Sequence, residues 1–349
     1  MNISVCMIVR NEEAVLKRSL QSILDLVPEI IIVDTGSTDN TKGVAREFTD
    51  KVYDFIWHND FSAARNFSLE KATKDWVLVL DADEVVTFFN SDQLQNAIDQ
   101  SEDIVGRIKI INMIADSTGE KRYVERVGRL FNRKNFHYEG IIHEQIVSLS
   151  GSSFDRVPLE IVVEHIGYTA GVLKRTDKIT RNIKLLELAL SQTPDNPYLI
   201  YQLGKSYYML KDFQRAVGYF KKTLVLPLNF SLEYVENLIE SYGYALINSG
   251  YYSEALCLSK YVKYYSNSPD YLFLMGHIYM NNGMFTEAVE SFTRCIGEKE
   301  SKAEGVNSYL PNYNMGVIFE CLGDNGRARM YYKLCHQYPL ALNRLELLK

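Results

Sequence analysis

The sequence lacks the features of a secreted, disulfide-bonded or membrane-spanning protein. Its 349 residues include five cysteines, an odd number, with no CxxC pair among them, so neither a disulfide framework nor a zinc ribbon is indicated. No apolar run reaches the ~18 residues of a membrane span, and the apolar run at the start is too short for a signal peptide. We therefore expect a cytoplasmic protein with buried thiols and no membrane span.

The chain also lacks an excess of positive charge. Its formal net charge is -6, and acidic and basic residues are interspersed rather than gathered in blocks. This pattern argues against a nucleic-acid-binding surface. We expect no nucleic acid among the partners.

Tyrosine is scarce in the first half of the chain and abundant in the second. Only four of the 24 tyrosines precede residue 173, and the other 20 follow it. A chain of this length has enough residues for two packed domains. We place the boundary near Gly171 and predict domains at residues 1–172 and 173–349.

The first half alternates between patterns typical of strands and of helices. Short runs rich in β-branched residues at 3–9, 29–36 and 76–81 predict strands. Helical patterns lie between them: one within 12–27, one capped by Thr38 or Asp39 and running to Phe48, and one within 61–74. The apolar face predicted for the first helix consists of Val15 or Leu16, Leu20, Ile23, Leu24 and Val27. Such an alternation implies an α/β fold with a parallel sheet covered on both faces.

Polar residues follow several of the predicted strands. Asn11, Asp34 and the Asp81–Asp83 pair all lie at or just after a strand's carboxyl end, where sheets of this type bind their ligands. Two acids separated by one residue project to the same side and suit a hard cation. The alternative is a solvated acidic turn. Because three polar clusters converge on one crevice, we favour the ligand site.

Residues 104–166 show a different pattern, with four short apolar segments interleaved with basic residues: "IVGRIKIINMIA", "RVGRLFNR", "IIHEQIV" and "LEIVVEHIGY". We interpret them as strands and hairpins. They predict an appended antiparallel portion that completes the crevice.

The second half contains a repeat. Four glycines each precede an alanine by twelve residues, and in three of the four repeats an aromatic residue follows that alanine by four positions. The glycines are Gly204, Gly243, Gly276 and Gly316. In the second repeat Ser259 takes the aromatic position. This pattern resembles the tetratricopeptide repeat, an all-α helix pair with a period of about 34 residues. The intervals here are 39, 33 and 40 residues, so two connections are lengthened.

Five motifs in the first half resemble the family-2 nucleotide-sugar glycosyltransferases of GT-A fold. They are "MIVRNEE", "VDTGSTDNT", "FSAARNFSLEKATKDWVLVLDADE", "IIHEQI" and "EHIGY", and the resemblance covers about residues 1–170. It implies a Rossmann-like, mostly parallel sheet. A transferase domain followed by repeats also resembles the bacterial peptide S-glycosyltransferases of the sublancin type.

The resemblance implies a role for each matched position on the donor side. Asp83 is matched to the ligand of a divalent metal, Mn²⁺ or Mg²⁺, that bridges the diphosphate, with Asp81 beside it near the ribose and sugar. Asp34 is matched to recognition of the base or ribose, and Val9 and Asn11 border the base. A UDP-sugar is the donor that this family implies.

Arg65 and Asn66 belong to the same matched set. Arg65 is matched to an arginine that contacts the base or diphosphate, and Asn66 supports it. Such donors would offset the charge of a diphosphate. The alternative is that Arg65 is a surface helix residue paired with Glu70 or Asp60, because such ion pairs are common and weak.

Three residues between positions 143 and 165 complete the predicted site. Glu144 stands where the family places the acid that removes the acceptor's proton, and His143 either orients that acid or packs beside it. His165 follows an apolar strand and is either a late metal ligand or a structural histidine.

We therefore predict a metal-dependent inverting glycosyltransferase with a peptide or protein acceptor. The alternatives are a polysaccharide or lipid-linked acceptor, with repeats that form a homodimer, and a non-catalytic repeat scaffold. A P-loop is excluded because "GSTDNTKG" does not match GxxxxGK[ST], and a zinc hydrolase is excluded because His143 has no histidine four residues later.

Overall fold

The structure, a computed structural model, describes residues 2–116, 119–165, 172–297 and 299–348, with side chains outside 114–121 and 172–176. Gly171, near which the sequence predicts the domain boundary, lies outside the described residues, as do residues 166–168 of the "EHIGY" motif. The chain divides into two compact units, Met1–Arg175 and Thr176–Lys349. Each unit is described by itself below.

The first unit is built on one large sheet and a two-stranded hairpin. The large sheet has eight strands in the order β3-β2-β1-β4-β7-β6-β10-β5, and the hairpin pairs β8 with β9. The strands are β1 (Ile3–Val9), β2 (Glu29–Asp34), β3 (Val52–Asp54), β4 (Trp76–Val79), β5 (Glu84–Phe89), β6 (Ile104–Asp116), β7 (Gly119–Asn132), β8 (Phe136–Glu139), β9 (Gln145–Ser148) and β10 (Asp155–His165).

The first four strands of the large sheet are parallel, as the sequence predicts. β1 pairs in parallel with both β2 and β4, and β3 joins β2 in parallel. Along β1 and β2 the side chains alternate between two apolar layers, with Val5 and Met7 in one and Cys6, Ile31 and Val33 in the other. Both faces of the sheet are therefore covered, because successive side chains of a strand point to opposite sides.

The sequence analysis expected an appended antiparallel portion in residues 104–166, but most of the strands in this range belong to the main sheet. β7 pairs antiparallel with β4 and β6, whereas β10 pairs parallel with β6 and antiparallel with β5. β6, β7 and β10 therefore extend the main sheet, whereas β8 and β9 form a separate antiparallel hairpin. The predicted strand through "IIHEQIV" is shorter than expected: it begins only at Gln145, because the backbone at His143 has a positive φ of 50°.

Four helices accompany these strands: α1 (Leu16–Ile23), α2 (Thr41–Arg46), α3 (Phe61–Lys71) and α4 (Ser91–Gln100). The prediction for the first helix was wrong at its end. Leu24 is 45% exposed, and Val27 lies beyond the helix although it is buried. α2 begins after Asn40 rather than after Thr38 or Asp39.

The second unit is helical. Its elements are α5 (Val172–Gln192), which begins in the first unit, α6 (Pro197–Met209), α7 (Phe213–Leu224), α8 (Glu233–Asn248), α9 (Tyr252–Ala255), α10 (Val262–Tyr265), α11 (Pro269–Asn281), α12 (Phe285–Cys295), α13 (Tyr309–Cys321), α14 (Asn325–Lys333) and α15 (Pro339–Leu347). A 3-10 helix, Leu256–Tyr261, joins α9 to α10. Of the helices in the described residues, none combines the length and apolar composition needed to cross a bilayer.

The repeat glycines lie where paired helices approach closely. A Cβ atom at Gly276 would lie 2.4 Å from the ring of Phe292, and one at Gly316 would lie 2.5 Å from the ring of Tyr332. Each ring belongs to the second helix of its pair, so any larger residue would force the pair apart. In the second repeat, where Ser259 replaces the aromatic residue, the second helix is broken into α9, the 3-10 helix and α10.

Candidate active site

The carboxyl ends of β1 and β2 are joined by a network of backbone and side-chain hydrogen bonds. The N–H of Thr35 donates to the carbonyl of Val9 at 2.9 Å. Asn11, with φ of 55°, accepts from the N–H of Thr38 at 2.7 Å through its side chain and donates its own N–H to Ser37 Oγ at 2.9 Å. These contacts fix the loop after each strand and bring Val9 and Asn11 beside Asp34, which ends β2.

Asp34 is buried and only half satisfied. Its Oδ1 accepts from the N–H groups of Gly36 and Ser37 at 2.9 and 2.8 Å, which fixes the carboxylate. Its Oδ2 is buried and has no hydrogen-bond partner among the described residues. A buried carboxylate oxygen without a partner costs free energy, so the geometry fits a group that receives a ligand's N–H or O–H.

Arg65 links two acids from distant parts of the chain. It is 7% exposed on α3, and its Nη2 donates to Asp81 Oδ1 at 2.9 Å. Its Nε donates to Glu144 Oε1 at 2.5 Å, and the guanidinium lies 5.6 Å from the ring centre of Tyr138. The Nε and Nη2 groups of one arginine therefore join Glu144 to Asp81.

The alternative interpretation of Arg65 as a surface residue does not agree with the structure. Its partners are not Glu70 or Asp60, and Asp60 instead caps the amino terminus of α3. The neighbouring Asn66 has a supporting position. Its amide exchanges two hydrogen bonds of 2.9 Å with the backbone of Tyr138, which ties α3 to β8.

The sequence analysis missed two residues of this network, Arg129 and Glu84. Nη2 of Arg129, on β7, donates to Asp81 Oδ2 at 2.7 Å and to Glu84 Oε1 at 2.8 Å. The other oxygen of Glu84 accepts from the N–H of Asp81 at 2.8 Å. Glu84 is the third acid of "DADE", so the sequence shows an acidic residue at this position. No pattern in the sequence indicates which arginine of β7 faces it.

The pKa shifts follow from burial and from these pairs. Burial acts to raise the pKa of Asp81, but Arg129 and Arg65 together hold it well below its usual range. Burial raises the pKa of Glu84 to about 7, against the lowering effect of Arg129. The Asp81 side chain is 36% exposed, against 9% for Arg65 and 3% for Glu84, so the network meets solvent mainly at Asp81.

Asp83 and His165 form a second pair. Nε2 of His165 lies 3.0 Å from Asp83 Oδ2, and its Nδ1 lies 2.8 Å from Asn112 Oδ1. The Asn112 amide in turn donates to Glu125 at 2.9 Å. Burial acts to lower the pKa of His165, but the hydrogen bond that its ring donates to Asp83 and the nearby carboxylates raise it overall.

This pair fits part of a divalent metal site. A carboxylate oxygen and an imidazole nitrogen are both ligands that Mn²⁺ accepts, and Asp83 Oδ2 and His165 Nε2 lie 3.0 Å apart in a direct contact. Within the described residues no three His, Cys, Asp or Glu side chains are grouped to hold an ion. Both oxygens of Asp81, which the sequence also predicts beside the metal, accept hydrogen bonds from arginines, so among the described residues Asp83 and His165 are the predicted ligands that could hold an ion together.

All the residues that the sequence predicts for the site are described, but their roles remain predictions. The structure brings Arg65, Asp81 and Glu144 into direct contact and separately pairs Asp83 with His165. His143 lies next to Glu144, with its carbonyl accepting from the Gln145 side chain at 2.9 Å. Asn112, which orients His165, was also missed, because an asparagine within a long strand has no distinguishing pattern.

Comparison with known proteins agrees with this arrangement. Residues 4–156 match the family model described as glycosyl transferase family 2, and residues 198–225 and 269–302 match tetratricopeptide repeat models. A TPR repeat-containing protein of Synechococcus elongatus is 34% identical over 232 residues, which are 64% of this chain and 56% of that protein. The SPbeta prophage-derived glycosyltransferase SunS of Bacillus subtilis is 30% identical over 220 residues, 62% of this chain and 52% of SunS.

An uncharacterized glycosyltransferase of Rickettsia typhi is also similar, with 28% identity over 158 residues that make up 42% of this chain and 52% of that protein. The chain thus matches only about half the length of these relatives. The family-2 match covers β1 to β9 and the acid–arginine network, and the repeat matches cover α6, α7, α11 and α12. The chain carries a family-2 glycosyltransferase domain in its first half and tetratricopeptide repeats in its second half.

Proposed function

We propose that the chain is a metal-dependent inverting glycosyltransferase that moves a sugar from a UDP-sugar to a peptide or protein acceptor. The observation that carries the proposal is the cluster of Arg65, Asp81, Arg129, Glu84 and Glu144 beyond the carboxyl ends of the parallel strands, within the family-2 segment. An intact cluster of buried charges is costly to keep unless it is used. It therefore argues against the alternative of a non-catalytic repeat scaffold.

The donor would be held by two groups of residues. Asp34 Oδ2 would receive a donor N–H or O–H from the base or ribose, with Val9 and Asn11 beside it. Asp83 and His165 would hold the divalent cation. Such a cation offsets the charge of the diphosphate as it leaves. UDP as the carrier rests on family resemblance alone.

Glu144 is suited to take the acceptor's proton. Arg65 holds its Oε1, and its Oε2 makes no hydrogen bond to the described residues. In a single displacement the acceptor attacks the anomeric carbon, the bond to the diphosphate breaks, and Oε2 receives the acceptor's proton. Arg65 orients the base through its contact with Oε1. His143 would help to orient Glu144.

The repeats are the second element of the proposal, because tetratricopeptide arrays commonly bind peptides. Not all of their tyrosines are available as anchors. Tyr207 is 7% exposed, and its ring stacks on Tyr219 at 5.4 Å with an interplanar angle of 1°. The competing hypothesis is that the repeats form a homodimer or support the first unit, with a polysaccharide or lipid-linked acceptor.

The proposal is tested by incubating the purified full chain with Mn²⁺ and a panel of nucleotide sugars and measuring the free nucleotide released. We expect slow hydrolysis of one UDP-sugar, and faster release when an acceptor is present. The Asp83→Asn variant serves as the matched inactive control. Absence of nucleotide release from every donor would favour the non-catalytic scaffold.

A further inference from the structure

Asp81 joins two guanidinium groups, one through each carboxylate oxygen. Oδ1 accepts from Arg65 at 2.9 Å, and Oδ2 accepts from Arg129 at 2.7 Å. The backbone N–H of Asp81 is itself fixed by Glu84 at 2.8 Å. The carboxylate is therefore held at both oxygens, and Arg129 supplies one of the two contacts.

The resulting chain of charges runs through buried surroundings. Glu84, Arg129, Asp81, Arg65 and Glu144 follow one another through direct hydrogen bonds of 2.5 to 2.9 Å. Arg129 is 9% exposed and Arg65 is 7% exposed. Nε of Arg129 and Nη1 of Arg65 are buried without a partner in the described part of the chain. Each arginine is held by two carboxylates, Arg65 by Asp81 and Glu144 and Arg129 by Asp81 and Glu84, and the carboxylate of Asp81 is the one they share.

We propose that Arg129 is a positioning residue for sugar transfer: acting through Asp81, it holds Arg65 in the orientation that presents Glu144 to the acceptor. The inference rests on the proposed function of Glu144 as the base. Arg129 has no direct hydrogen bond to Glu144 among the described residues. Its effect on the base must therefore pass through Asp81 and Arg65.

The geometry indicates what loss of Arg129 would do. Asp81 would keep one cationic partner, and its free oxygen would compete with Glu144 for the fork of Arg65. Glu144 would then lose the contact that fixes its Oε1. Under the proposed function the donor is held by Asp34, Asp83 and His165, which make no hydrogen bond to Arg129 in the described residues, so donor binding would change little. Misplacement of a base by a fraction of an ångström lowers turnover rather than affinity.

The test measures kcat and donor KM for Arg129→Met and Arg129→Lys in the full chain, per folded molecule as judged by circular dichroism. We expect Arg129→Met to lower kcat by about 10- to 100-fold with donor KM changed less than about threefold. Arg129→Lys should be intermediate, since an ammonium cannot reproduce the planar fork. Arg122→Met, at an exposed position of the same strand, is the matched control and should resemble the wild type.

A double-mutant cycle identifies the route of the effect. If Arg129 acts through Asp81, then Asp81→Asn/Arg129→Met should have the same kcat as Asp81→Asn alone. Effects that multiply would overturn the inference, because Arg129 would then act by a route that does not include Asp81. A raised donor KM with unchanged kcat would overturn it in the same way.

A charge-balanced variant distinguishes a positioning role of Arg129 from a purely structural one. Arg129→Met alone leaves Glu84 buried without its cation, and this variant could fail to fold. Glu84→Gln/Arg129→Met removes both charges and should recover the thermal stability while kcat stays low. Recovery of kcat together with stability would show a purely structural role. If the wild type releases no nucleotide from any donor, the proposed function fails and this inference fails with it. If the wild type is active and Arg129→Met has the same kcat as Arg122→Met, the inference alone is refuted.

Discussion

His165 Nε2 lies 3.0 Å from Asp83 Oδ2, so the last residue of β10 is paired with the "DADE" turn that follows β4. Asn112 accepts from the other ring nitrogen of His165, and its own amide is oriented by Glu125. This second contact fixes the histidine ring and directs Nε2 at Asp83, which is how proteins commonly orient a histidine that ligates a metal.

Replacing Asp83 by Asn should abolish metal-dependent transfer. The substitution keeps the volume but removes the charge needed to hold a cation against a diphosphate, and we expect activity to fall at least about 100-fold. Thermal stability should change little or rise, since functional sites are commonly strained. The measurement is nucleotide release over a Mn²⁺ titration, with Asp75→Asn, an exposed residue paired with Lys134, as control. Full activity of Asp83→Asn in the presence of a chelator would disprove the metal assignment.

Glu144→Gln should separate chemistry from binding. The amide cannot accept the acceptor's proton, so we expect kcat to fall by about 100-fold or more, while the affinity for UDP with Mn²⁺ stays within about threefold. Turnover and calorimetric binding measure the two quantities. Glu139→Gln, at an exposed position on β8, is the control. An equal loss of nucleotide affinity would instead place Glu144 on the donor side.

The sequence predicts three acids and Arg65 of this site, but it does not predict Arg129 or the contact that Glu84 makes. Asp81, Asp83 and Glu144 are recognisable because they lie in short motifs at strand ends. Arg129 lies within a strand that also carries Arg122 and Arg126, and its inward orientation depends on the pairing of β7 with β4, which no local pattern encodes. For the same reason the parallel core was predictable, whereas the parallel pairing of β10 with β6 was not.

His277 should contribute a loss of stability of the helical unit in mild acid. Burial lowers the pKa of His277 to about 4, and its ring packs 4.6 Å from Phe273. Below pH ~6.5 the unfolded state takes up a proton that the folded state does not, so stability is lost as the pH falls from about 6.5 to 4. The loss from this residue is at most about 3 kcal/mol.

Thermal unfolding of the full chain between pH 7 and 4.5 measures this effect. His277→Gln should weaken the dependence, and the exposed His336→Gln should leave it unchanged. Carboxylates that titrate in the same pH range contribute equally to the wild type and the variants, so their effect on stability cancels when the pH profiles are compared. Identical pH profiles for wild type and His277→Gln would show that the buried imidazole is not the cause.

Removal of the repeats should show whether they bind the acceptor. A chain ending at Arg175, the limit of the first compact unit, is compared with the full chain on a synthetic peptide library carrying Ser, Thr and Cys, once circular dichroism shows that the shortened chain is folded. If the repeats bind the peptide, the shortened chain should still release nucleotide slowly from the donor but should no longer modify the peptides that the full chain modifies. Its oligomeric state, measured by light scattering, should be the same as that of the full chain, because peptide capture requires no second copy. Continued transfer to peptide with a smaller oligomer would show that the repeats serve assembly, and the acceptor would then have to be recognised by the first unit alone.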